Sequence, residues 1–215
     1  NPFKAGTELR SPQNQLNKAN VNYVEPLVQQ SGGFEGMALS KDGKYLYPLL
    51  EKPLKDSKVK QLIISQFDLE KKAYTGQYYL LDLNEKATAI GDFQMFDNNS
   101  GILIERDNSE NNLEGYKKLI QVKLGESAQA IQRTELVDLM KLANPNNLYG
   151  TARADDIGTG ATFAFPFFTI EDVIIENNQT LTVLNDNNFP SSFGRNKNHA
   201  DNNEIIQIKL AKALF

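Results

Sequence analysis

The sequence predicts an all-β fold: a β-propeller of four-stranded antiparallel blades, present here as an incomplete portion of a larger propeller. Three observations lead there. Short apolar runs of strand length alternate with clusters of Gly, Asn, Asp and Lys along the chain. Three hairpin-like segments align with one another. Each is followed by further strand-like runs, which brings a unit to four strands.

The elements follow in order. Residues 1–20 are polar and without period, and are read as an irregular leading segment. The propeller portion occupies 21–215, and Val21–Val28 is a candidate strand of a preceding blade. Gly36–Leu39, Tyr45–Leu50, Gln61–Phe67 and Gln77–Leu83 are rich in Ile, Leu, Tyr and Phe, and Asp42-Gly43 marks a turn between the first two. Gly101–Ile104 and Lys118–Leu124 continue the pattern, followed by strand-like AIQRTELVDL. Glu171–Ile175, Thr180–Leu184 and Glu204–Leu210 close it. One helix is expected, at Glu135–Leu142, where apolar residues fall at 136, 139 and 140. Phe163, Phe165, Phe167 and Phe168 read as core between blades. The three aligned units give about three and a half blades. Propellers close with about four to eight, so the remaining blades are expected from another segment or chain.

Composition narrows the chemistry. The chain has 215 residues, a net charge of −4 and no cysteine. Disulfides, thiolate nucleophiles and Cys-ligated metals are excluded. Nucleic-acid binding by bulk charge is not expected, because that needs a basic footprint. No apolar run reaches the roughly 20 residues of a membrane-spanning helix. The one histidine, His199, sits in a polar loop and reads as a surface residue. There is no Gly-x-Ser-x-Gly elbow, and the glycines of 150–160 lack the lysine of a phosphate loop. What remains is oxygen: 27 Asp plus Glu and 23 Asn, a palette suited to hard cations such as Ca²⁺.

The acids repeat. In each aligned hairpin an acidic residue precedes or opens the first strand and another follows the second, at spacings of 16, 15 and 15 residues (35→51, 92→107, 171→186). A hairpin returns the end of its second strand to the start of its first. Glu35 with Glu51, Asp92 with Glu105 or Asp107, and Glu171 with Asp186 are therefore expected to share one end of each hairpin. If the units are blades, the acids converge on one face. Converging carboxylates repel, and a cation is the usual compensation; solvated turn residues are the plainer alternative.

The same residues carry a family resemblance. Gly33-Phe34-Glu35-Gly36-Met37-Ala38-Leu39-Ser40-Lys41-Asp42-Gly43 with Leu50-Glu51-Lys52-Pro53-Leu54 resembles the opening signature of the phytase-like domain, the esterase-like activity of phytase family. Glu105-Arg106-Asp107 resembles its ERD segment. Phe165–Val173 resembles its FP-TIEGV segment, with Asp172 where Gly is usual. Asn185-Asp186-Asn187-Asn188-Phe189-Pro190 and Asp201-Asn202-Asn203-Glu204 resemble its closing segments. The resemblance runs from about Gly33 to Leu210 and corresponds to the C-terminal part of the domain.

The resemblance implies a bacterial, secreted or periplasmic hydrolase acting on a small-molecule phosphate ester or other ester, with Ca²⁺ at an acidic propeller face. Glu35, Glu51, Asp92, Glu105, Asp107, Glu171 and Asp186 would be metal ligands, and Asn187 and Asn203 neutral donors. Glu35, Asp107 and Glu171 are the catalytic candidates. Arg106, Arg195 and Lys197 would hold phosphate. The alternative is a non-catalytic propeller that binds a partner and carries a structural calcium.

Overall fold

The computed structural model describes residues 9, 12 and 25–215. The leading segment 1–20, apart from residues 9 and 12, and residues 21–24 of Val21–Val28 lie outside them. Among the described residues all regular structure is strand, in four antiparallel sheets, and no helix is long and apolar enough to cross a membrane.

The chain forms two compact units. The first comprises 1–85, 95–101 and 122–132, and the second 86–94, 102–121 and 133–215. In the first, β1 (Phe34–Leu39), β2 (Tyr45–Leu50), β3 (Gln61–Asp68) and β4 (Ala73–Asp82) make one sheet in the order β1-β2-β3-β4. Every neighbour in it is antiparallel and adjacent in sequence. Alternation sets its faces: in β1, Gly36 and Ala38 are buried while Met37 and Leu39 are exposed. Val28, Leu50 and Ile63 form a core cluster, with Leu54, Tyr78 and Leu80 packed against it. Gly43 takes positive φ at the turn between β1 and β2, a conformation that glycine adopts without strain.

A second four-stranded sheet has the order β5-β6-β7-β8: β5 (Ala89–Met95), β6 (Ser100–Arg106), β7 (Lys117–Lys123) and β8 (Gln132–Asp138). Every residue of β6 is buried, as expected of a central strand covered on both faces. Glu135–Leu142, expected as a helix, is instead the end of β8, a turn and the start of β9 (Leu142–Ala143). The apolar positions 136, 139 and 140 imitate helical spacing. Lys118 of β7 bonds Glu135 at 3.2 Å and Asp138 at 2.6 Å, which ties this segment to the neighbouring strand.

The second unit adds a two-stranded pairing of β9 with β10 (Thr162–Phe163). It also holds a three-stranded sheet in the order β11-β12-β13: β11 (Thr169–Asn177), β12 (Thr180–Asp186) and β13 (Ile205–Lys209). Phe163, Phe165 and Phe167 are buried, and the Phe165 and Phe167 rings meet edge to face at 4.7 Å. Phe168 is only half-buried.

Candidate functional site

In the first unit, Phe34 lies opposite Leu50, the register shifts between Phe34 and Gly36, and Glu51 N–H donates to Gly33 C=O at 2.9 Å. Glu35 is therefore the extra residue of a β-bulge, exposed, at the hairpin end where Glu51 also sits. Glu51 lies 3.8 Å from Lys52.

The second unit repeats this device. Thr169 lies opposite Asp186, and the register shifts between Ile170 and Asp172, so Glu171 occupies the same bulge position as Glu35. Asp186 caps the following loop by accepting Asn188 N–H at 3.0 Å. Asn187 N–H donates to the Asn203 side chain at 3.1 Å, which brings those two residues together. Two acidic pairs, Glu35 with Glu51 and Glu171 with Asp186, thus share a hairpin end.

The ERD segment divides its charges. Glu105 is wholly buried; Arg133 donates to both its oxygens, at 2.9 and 2.5 Å, and Tyr116 OH donates at 2.7 Å. Burial first, and then this bond to Glu105, push the Tyr116 hydroxyl far above its ordinary value. Arg106 reaches Glu171 at 3.3 Å and Asn108 at 3.2 Å, over the ring of Phe168. Asp107 meets the buried Lys117 ammonium at 2.9 Å and also accepts from Ser109 and Tyr116 N–H. Burial pushes the Lys117 ammonium down. Burial alone would raise Asp107, but the bond from Lys117 and those from Tyr116 and Ser109 outweigh it and hold the carboxyl low.

Asp92 lies in the middle of β5, where β5 runs against β11. Its Oδ2 accepts Val173 N–H at 3.1 Å. The approach needs Gly91, since a Cβ there would lie 1.9 Å from the Ile170 carbonyl oxygen. Burial first, and then the neighbouring Asp92, push the Asp172 carboxyl up. Among the described residues neither Asp92 nor Asp172 forms a salt bridge. Asp172 was noticed in the sequence only as a departure from glycine. Its meeting with Asp92, 80 residues away, depends on β5 packing beside β11.

The loop after β12 is more buried than its polar sequence implies. Arg195 is 5% exposed. It donates to both oxygens of Glu204, at 2.9 and 2.7 Å, and to Ile157 C=O, and it faces the rings of Tyr149, Phe163 and Phe167. Buried Asp201 accepts Gly194 N–H and Arg195 N–H. Lys197 and His199 are exposed, and His199 lies on the rim of a polar cavity of about 210 Å³ with Arg153, Asp156 and Arg195. Among the described residues no group of three or more His, Asp or Glu side chains stands ready to hold a metal ion.

The family model of the phytase-like group, described as esterase-like activity of phytase, matches residues 4–189. The chain belongs to the phytase-like family. The match starts well before Gly33 and ends at Phe189, so the bulged hairpins and the ERD segment lie inside it and Asp201–Glu204 outside. Membership of the phytase-like family points to a hydrolase-like function. No curated protein matches this phytase-like chain.

Proposed function

We propose that this chain forms the C-terminal part of a phytase-like β-propeller that hydrolyses phosphate or other esters outside the bacterial cytoplasm. The family match carries the reading. The two meandering four-stranded sheets support the blade architecture. We place the reactive centre where β5 lies against β11, around Asp92, Asp172 and Glu171.

The donor set fits a divalent cation in part. Asp92 and Asp172 are near enough to repel and have no cationic partner among the described residues. Glu105, Asp107 and Glu171 instead face Arg133, Lys117 and Arg106. Asp92 and Asp172 would hold Ca²⁺, which would neutralise substrate charge and lower the pKa of a bound water. Glu171, projected by its bulge and steadied by Arg106, would accept a proton at a carboxylate oxygen. Three nitrogens of Arg195 are already engaged, and Arg106 is buried and bonds Glu171 and Asn108, so exposed Lys197 is the better candidate to meet an anionic substrate.

The alternative, a binding module with a structural ion, is favoured by one observation: protein cations already neutralise three of the expected ligands. Release of phosphate from phytate and of p-nitrophenol from its phosphate and acetate esters, with Ca²⁺ and with EDTA, separates the two. Turnover that EDTA abolishes supports the hydrolase. Calcium-dependent melting without turnover supports the binding module.

A further inference from the structure

We propose that the polar cavity of the second unit, walled by the segments 149–156 and 195–204, is a binding site for one small neutral polyol the size of a single sugar ring. This inference does not rest on the hydrolase reading. Most of the cavity wall lies beyond Phe189, where the family match ends.

The floor is built and held. Arg195, Asn196 and Asp201 line the cavity, yet they are only 5%, 2% and 3% exposed. The Asn196 side chain donates to Ala154 C=O at 2.9 Å and to Asp156 at 2.7 Å, which ties the two walls together. Gly194 N–H and Arg195 N–H each donate to one oxygen of Asp201, at 2.6 and 2.9 Å. Bonding capacity remains. A guanidinium carries five N–H groups, and among the described residues Arg195 engages three, with Glu204 and Ile157 C=O. Each Asp201 oxygen keeps a second lone pair after its one N–H. Burial pushes this carboxyl up, against the pull of its two backbone bonds. Buried donors and acceptors with capacity left are costly unless something meets them. A hydroxyl donates and accepts at once, so a ligand with several hydroxyls answers both kinds of group.

The rim and the charge balance narrow the ligand. Thr151, Arg153 and His199 are exposed around the opening. Arg153 and His199 spend their backbone N–H groups on Asp156 and on Asn196 C=O. Among the described residues their side chains form no hydrogen bond or ion pair. Tyr149 and Ala200 supply apolar surface for C–H groups. The two guanidiniums of the lining stand against three carboxyls, those of Asp156, Asp201 and Glu204. An arriving phosphate would meet the carboxyls and an arriving metal ion the guanidiniums, and each would lose hydration for a mixed field. The carboxyls and His199 also do not group as metal ligands. A neutral ligand meets neither penalty. The volume, about 210 Å³, is below the roughly 300 Å³ at which pockets for drug-sized molecules begin, which limits the occupant to about one ring.

The probes are D-glucose, D-galactose and D-mannose, which differ in the direction of single hydroxyl groups. Each is titrated into the whole chain and followed by amide NMR shifts at 149–156 and 194–204, with inorganic phosphate and Ca²⁺ as charged rivals. The expected result is saturation of those shifts by at least one sugar with a Kd of about 1 mM, the scale for a ligand of about twelve non-hydrogen atoms at ordinary efficiency. Phosphate and Ca²⁺ should bind these amides more weakly than that sugar. The double variant Arg153→Ala with His199→Ala should weaken binding about tenfold, the scale of one lost hydrogen bond, with an unchanged Tm because both side chains are exposed. Three results would overturn the proposal: no saturation by any of the three sugars, tighter binding of phosphate or Ca²⁺ at the same amides, or a double variant that binds like wild type.

Discussion

Removing the guanidinium of Arg133 should be among the most damaging single changes at the ERD segment. Glu105 is wholly buried, and Arg133 is 23% exposed at its side chain and bonds both Glu105 oxygens. In Arg133→Ala the carboxylate keeps the bond from Tyr116 but loses its charged partner in a dry setting. Breaking a buried pair from one side costs about 3–5 kcal/mol. The surviving Tyr116 bond argues for the lower end, near 3 kcal/mol by the same comparison, or roughly a hundredfold in the unfolding constant. Urea unfolding followed by far-ultraviolet circular dichroism reads this as a fall in midpoint at constant slope. A triple variant, Glu105→Met with Arg133→Met and Tyr116→Phe, removes the ion pair and the tyrosine bond together and should recover to within about 1 kcal/mol of wild type. A loss below 1 kcal/mol in Arg133→Ala, or a triple variant no better than the single one, would refute the reasoning.

Other outcomes follow from the same geometry. Gly91→Ala forces a methyl onto the Ile170 carbonyl oxygen and should cost about 3 kcal/mol, at the upper end of ordinary overpacking, with calorimetry as the check. Asp107 is held below its unfolded value. Its contribution is therefore present above pH 3.8 and lost as pH falls through its lower folded value; Asp107→Asn should destabilise the chain at neutral pH and flatten the acid limb of a stability–pH curve. Asp172 is shifted the other way, so the folded state binds its proton more tightly and stability falls as pH rises from 3.8 through the raised value. Asp172→Asn should gain up to about 0.5 kcal/mol at pH 7, the range of surface changes, and nothing below pH 3.

The hairpins were legible because their signal is local. Alternation and turn residues set Tyr45–Leu50 as a strand with the same bounds the structure shows, and acid spacing placed Glu171 and Asp186 at one end of a hairpin. The bulges that carry Glu35 and Glu171 are register shifts, which residue type alone does not announce. Glu135–Leu142 misled because an edge strand followed by a buried turn can place apolar residues at helical intervals. The partners of the acids were not legible. Glu105 and Arg133 are 28 residues apart, and Asp92 and Asp172 meet only through β5 against β11. Arg195, expected from the sequence to hold phosphate, is surrounded by three aromatic rings and Glu204. Such pairings are decided by packing between elements.

The most direct measurement compares turnover of p-nitrophenyl phosphate by wild type, Asp92→Asn and Glu171→Gln, each with Ca²⁺ and after EDTA, at matched folded fraction. We expect calcium-dependent hydrolysis in the wild type and at least a hundredfold loss in both variants, the scale of a lost acid–base or charge-stabilising group. Undiminished rates in both would contradict a reactive centre at β5 and β11.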